Sequence, residues 1–136
     1  MRFETKLAVV VRDDLAAWQK LNVTAFLVSG FAATVPGITG EPYRDGSGEG
    51  YQPMFVQPVL VFGADASGLR RAFERSRERG LVPAVYTAEL FATGHDEANR
   101  AAVAAVPTAE LDLVGLAVHG ERRVVDAALR GLSFHA

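Results

Sequence analysis

Three histidines can exchange a proton near neutral pH, and His95 has the most suggestive setting. It stands in Thr93-Gly94-His95-Asp96-Glu97, a loop leading into an expected helix. There an imidazole can act as a base or proton shuttle for a bound substrate. The competing roles are a cap on that helix or plain surface exposure. His119 follows an expected strand and His135 lies next to the last residue. The three share no metal-ligand spacing, so no zinc site is expected.

Asp45 is the second candidate to activate water. It belongs to Tyr43-Arg44-Asp45-Gly46-Ser47-Gly48-Glu49-Gly50-Tyr51, where Asp45, Ser47 and Glu49 alternate as oxygen donors do in a calcium loop. The glycines fall in the wrong places for such a loop, and the distal bidentate position carries no acid. A turn or hairpin is the expectation, with a ligand-contacting loop as the alternative and no metal site. The Gly-x-Gly-x-Gly pattern does not run from a strand into a helix, so it is no dinucleotide fingerprint, and no Walker lysine motif occurs. No cofactor is expected.

Asn22 and Thr24 head the apolar half of a helix. Buried polar groups there need partners, which are either neighbours or a ligand. In an ester-cleaving site they would steady an oxyanion while His95 or Asp45 activated water. Ser29 lies on the same helix, where a hydroxyl bonded back to the main chain is the ordinary explanation. No Gly-x-Ser-x-Gly elbow exists, and the absence of cysteine excludes thiolate nucleophiles, thiolate zinc sites and disulfides.

These groups need elements to position them. Residues 6–11 form a continuous apolar run, expected as a strand buried on both faces. Asp14 is the expected N-cap of a helix from about residue 15, on which Trp18, Leu21, Ala25 and Val28 recur at helical spacing and whose apolar second half should enter the core. Pro36-Gly37 ends it, and a glycine- and proline-rich loop runs over 37–53. A second strand is expected over 56–62, with Pro58 at an edge or bulge. A helix over 66–79 stops at Gly80. A third strand covers 81–86, a short helix or turn 88–92, an alanine-rich helix 96–106, a fourth strand 111–118 and a closing helix 121–129, with 132–134 as a short additional final strand. Such alternation favours a mostly parallel or mixed sheet with helices on both faces.

The helix over 66–79 carries Arg70, Arg71, Arg75, Arg77 and Arg79 interleaved with Glu74 and Glu78. That mixture reads as a solvated face with weak ion pairs rather than a polyanion site. The net charge of −2 from 14 basic and 16 acidic side chains gives no strong nucleic-acid signal. A chain of 136 residues, 49% hydrophobic, fits one domain, 1–136, with a real core. It carries neither a signal-peptide pattern nor an apolar stretch long enough to span a bilayer, so a soluble, cytoplasmic protein is expected.

Four segments, Lys6-Leu-Ala-Val-Val-Val-Arg-Asp-Asp-Leu15, Leu21-Asn-Val-Thr-Ala25, Gly40-Glu-Pro-Tyr-Arg-Asp-Gly46 and Phe91-Ala-Thr-Gly-His95, together resemble the family called domain of unknown function 2000. The resemblance covers essentially the whole chain. It implies the fold of type II peptidyl-tRNA hydrolases, a three-layer α/β/α arrangement with a four-stranded mixed sheet flanked by helices, and a homodimer, since dimers are common in that fold. The hydrolases' Val-Arg-x-Asp-Leu strand exit is matched by Val11, Arg12, Asp14 and Leu15. With one residue inserted, Asn22 stands where their functional lysine would be, Lys20 being near but out of register. Phe26 and Ser29 replace a glutamine and a histidine, and Thr87 replaces the functional aspartate.

Those changes remove a cation for phosphate or an oxyanion and the carboxylate that organises it. Ordinary peptidyl-tRNA hydrolysis is therefore not expected. The expected function is binding of a small molecule or peptide where the first strand meets the first helix. Asn22 and Thr24 would lie in that cleft, Tyr43 and Asp45 above it, and Thr93 and His95 beside it. The alternatives are a divergent hydrolase of an aminoacyl or peptidyl ester and a purely structural partner protein.

Overall fold

A strand closed to water on both faces lies at the centre of the sheet. The computed structural model describes residues 2–136, and in it β1 (Thr5–Arg12) keeps Leu7 through Val11 at 1% exposure or less. Side chains alternate across a strand, so Ala8 and Val10 enter one core cluster while Val9 and Val11 enter another.

The elements follow in the order α1 (Ala17–Thr34), β2 (Tyr43–Arg44), β3 (Gly50–Tyr51), β4 (Val59–Ala64), α2 (Ala66–Glu78) and β5 (Ala84–Thr87). A 3-10 turn (Ala88–Ala92), α3 (Asp96–Ala104), a second 3-10 turn (Thr108–Glu110), β6 (Leu113–Glu121), α4 (Arg122–Ala128) and β7 (Ser133–Phe134) complete the chain. The sheet runs β5-β6-β1-β4-β7. β1 pairs in parallel with β4, with Val9 opposite Val61, and antiparallel with β6, with Val9 opposite Ala117.

α1 supplies Val23 and Leu27 to the cluster of Val9 and Val11, joined by Val114, Ala117 and Tyr86. α2 and α4 supply Leu69, Ala72, Phe73 and Val125 to the cluster of Ala8 and Val10. The approach of α1 to the sheet is set by Gly115, where an added Cβ would lie 2.5 Å from Val23 Cγ1 and 3.0 Å from Leu27 Cδ1. No helix among the described residues is long and apolar enough to cross a membrane.

Several expectations need correction. The mixed sheet has five strands, not four, because β7 pairs with β4 and stacks Phe134 on Phe62 at 4.7 Å. Parallel pairing is confined to β1–β4, the other strand pairs of the sheet being antiparallel. Pro58 precedes β4 instead of interrupting it, as suits a residue without an N–H.

Asp14 does not cap α1. Its carboxylate accepts from Arg12 Nε at 2.7 Å, and Gln19 Oε1 accepts the N–H of the actual cap residue, Ala16, at 2.9 Å. The α2 arginines do not form the expected pairs with Glu74 and Glu78. Arg70 and Arg75 instead donate to main-chain carbonyls of Thr108 and Arg130 at 3.1 and 2.9 Å, and Arg71 donates to Ser67 Oγ.

α1 faces the sheet with a different stripe from the expected one. Val23 and Leu27 are buried, whereas Trp18 and Leu21 are 62% and 74% exposed. The apolar second half leaves Ala25, Phe26, Ala32 and Ala33 open to solvent. With apolar residues on every side, periodicity could not choose the inner face. The gap above Gly115 chose it.

Candidate functional site

On α1, Trp18, Asn22, Phe26 and Ser29 recur three or four residues apart and so form one lengthwise stripe. Across from it, the end of β5, the 3-10 turn and the start of α3 present Tyr86, Phe91, Thr93, His95 and Asn99. Between the two walls lies an open groove of about 400 Å³.

Aromatic rings pave the groove. Phe91 meets Trp18 edge to face at 6.1 Å and Tyr86 at 5.1 Å, and Tyr86 meets Phe26 edge to face at 6.0 Å. Such inclined pairs are the favoured geometry of quadrupolar rings. Tyr86 is almost wholly buried. Burial pushes its hydroxyl above the ordinary tyrosine range, while the adjoining Asn22 amide pulls the other way.

The polar members are partly committed. His95 is the N-cap of α3 and accepts the Ala98 N–H at Nδ1, 3.2 Å away. Its Nε2 has no partner among the described residues. The Thr93 hydroxyl is 3.0 Å from the Leu90 carbonyl and also touches the Asn99 side chain. One hydroxyl proton cannot serve two acceptors, so with Leu90 accepting it, Asn99 must turn its NH2 toward Thr93. That orientation frees the Asn99 carbonyl oxygen. Ser29 donates back to the Phe26 carbonyl at 2.6 Å, as expected of a mid-helix serine.

Asn22, Thr93 and His95 are therefore brought together, and the other candidates are not among the groove's lining residues. Thr24 donates to the Lys20 carbonyl at 2.8 Å and lines a separate apolar hollow with Leu21 and Val61. Tyr43 and Asp45 belong to the β2–β3 hairpin. The Asp45 carboxylate accepts the Tyr51 hydroxyl at 2.7 Å and the Ser47 and Glu49 N–H groups at 2.9 and 3.0 Å. Those donors, the phenol first, hold its carboxyl below the usual range. The alternating Asp-x-Ser-x-Glu is thereby explained as a turn.

Trp18, Tyr86, Phe91 and Asn99 were missed as site residues. The stripe at 18, 22, 26 and 29 was available as a signal, since Asn22 marks its polar centre. Nothing in the sequence shows that residues 86–99 face it.

Residues 5–136 match the model of the family described as Protein of unknown function (DUF2000). The chain belongs to the DUF2000 family. Among solved structures, the DUF2000 chain is similar to a protein of unknown function from Agrobacterium tumefaciens. The two share 47% identity and a TM-score of 0.96, over 99% of this chain and 100% of that one. No curated protein matches.

Proposed function

We propose that the groove between α1 and residues 86–99 binds a small molecule or a short peptide. The observation that carries this reading is the facing of the Trp18–Asn22–Phe26–Ser29 stripe by Thr93, His95 and Asn99 across about 400 Å³. Aromatic side chains (Trp18, Phe26, Tyr86, Phe91) and polar ones (Asn22, Thr93, His95, Asn99) share the lining about equally, and convergent polar groups are what fix orientation and specificity in a ligand site. Asn22, the His95 Nε2 and the Asn99 carbonyl supply hydrogen-bonding capacity for a ligand.

Binding is favoured over catalysis by where the reactive groups are spent. His95 Nδ1 is used by the Ala98 N–H and the Ser29 hydroxyl by the Phe26 carbonyl, so the two form no nucleophile–base pair. The competing reading, a divergent hydrolase of an aminoacyl or peptidyl ester, rests on the unpartnered His95 Nε2 beside Asn22. In that reading His95 alone activates water, since Asp45 and Thr24 are engaged elsewhere.

We further propose a three-layer fold of the type II peptidyl-tRNA hydrolase kind, in one domain and in the cytoplasm. Helices contributing to two core clusters on alternate residues of β1 support the layering. Asn22, Phe26 and Ser29, the positions matched to hydrolase site residues, all line the groove. The cysteine-free composition suits a reducing compartment.

Trp18 is the chain's single tryptophan, so its fluorescence reports on the groove. In a titration with a panel of small amides and dipeptides, a saturable change is expected for a subset, lost in Phe91→Ala. A spectrum unmoved by every member would overturn the binding reading. Single-turnover hydrolysis of N-acetyl-aminoacyl-tRNA is expected to be undetectable, and turnover lost in Asn22→Ala would favour the hydrolase instead.

A further inference from the structure

We infer that the cleft between α2 and the turn after α4 is a site for one small phosphate dianion, either inorganic phosphate or the phosphoryl group of a small phosphate ester. It is separate from the groove. α2 and α4 pack with Ala8 and Val10 of β1, whereas α1 packs with Val9 and Val11 on the opposite face of the sheet.

Three arginines line this cleft and no acid does. Arg71 and Arg75 stand one turn apart on one face of α2. Arg130 comes from the turn beyond α4, and all three border the same space of about 220 Å³. Like charges gathered in this way repel unless a counter-charge joins them. The four ion pairs among the described residues belong to Lys6, Arg12 and Arg100, and none reaches the cleft. The neighbouring carboxylates are engaged or turned away. Asp65 accepts the Gly68 N–H at 2.7 Å, Asp126 pairs with Lys6, and Glu74 and Glu78 are exposed on α2 outside the lining. In a chain of net charge −2, three cations around one cleft without a counter-charge mark a place for an anion.

Two of the guanidinium groups are already held in place. Arg75 Nη1 donates to the Arg130 carbonyl at 2.9 Å, and Arg71 Nη1 donates to Ser67 Oγ at 2.7 Å. Each contact uses one donor and leaves the rest of the planar fork for a ligand. The first also occupies a carbonyl beyond the electronegative end of α4, which would otherwise oppose an anion. Gly68 keeps the floor bare, since an added Cβ would lie 3.3 Å from Leu132 Cδ2.

Size and charge choose the ligand class. Sites for drug-sized molecules run to about 300–1,000 Å³, so this smaller cleft suits a single oxyanion group. Guanidinium forks match phosphate oxygens in pairs. A phosphate group carries about −1.5 to −2 at pH 7 and so offsets more of the three positive charges than a carboxylate does.

The test is an amide chemical-shift titration at constant ionic strength with sodium phosphate, glycerol phosphate and acetate. The Gly68 and Gly131 amides should shift and saturate with at least one phosphate compound, and not with acetate. The tighter of the two phosphates tells free phosphate from an ester's phosphoryl group. Arg130→Gln, at an exposed side chain without a hydrogen bond among the described residues, should weaken binding about 10-fold. Adding Arg75→Gln should abolish it. Arg79→Gln removes the same charge from the end of α2 outside the cleft, and Phe91→Ala alters the groove, so both should leave phosphate binding unchanged. The inference is overturned if neither phosphate compound gives a saturable shift, or if acetate binds as tightly. An equal loss in Arg79→Gln, or binding that survives the double variant, overturns it as well.

Discussion

Gly115 on β6 lies directly beneath Val23 on α1, so close that an added methyl would stand 2.5 Å from Val23 Cγ1. The glycine therefore sets the height of the helix that forms one wall of the groove. Gly115→Ala must displace α1 or force Val23 off its rotamer, and overpacking of this kind costs about 1–3 kcal/mol. Urea denaturation should show that loss. Val23→Ala in the same chain should recover part of it, and simple additivity of the two would contradict the contact.

Thr87 is 1% exposed, and its Oγ1 has no hydrogen-bond partner among the described residues. A buried hydroxyl left unpaired costs about 1–3 kcal/mol. Thr87→Val keeps the shape and removes the orphan, so the urea midpoint should rise. A clear fall would mean that the hydroxyl is satisfied in solution by water or a ligand.

His95 has a structural task as well as a proposed functional one. His95→Ala removes the side-chain cap of α3 and should cost about 1 kcal/mol, whereas His95→Asn, another good N-cap, should cost much less. Thermal melts of the two variants separate the roles. If His95→Asn is stable yet no longer binds a groove ligand, the imidazole itself is the contact.

His119 lies on β6 with its ring 6.2 Å from that of Phe31, and burial lowers its pKa from the ordinary 6.5. The unfolded chain then binds more protons than the folded one between the lowered value and 6.5. Stability from this residue is accordingly full above pH 6.5 and lost as pH falls through that window. His119→Leu should flatten this part of the stability profile measured between pH 5 and 8. An unchanged slope would assign it to other groups.

Much of the scaffold was legible because it rests on local pattern. The apolar run of β1, the glycine stop after α2 and the alternation of strands and helices are each written in a few adjacent residues. What was not legible depends on contacts between distant segments. The inner face of α1 is chosen by Gly115, about ninety positions away, and nothing local in the short final strand at 132–134 tells that its partner is β4, where Phe134 stacks on Phe62. Asp45 looked reactive in sequence because its donors, Tyr51 and two main-chain amides, become its partners only when the hairpin closes. Asn22, Thr93 and His95 could be named singly, but their shared groove required the fold.

The central claim is tested most directly by side-chain chemical shifts during titration with a panel of small amides and dipeptides. For at least one member, the indole N–H of Trp18 and the amides of Asn22 and Asn99 should shift together and saturate, and Phe91→Ala should abolish the response. Shifts confined to the β2–β3 hairpin, or none at saturating concentration, would contradict the account.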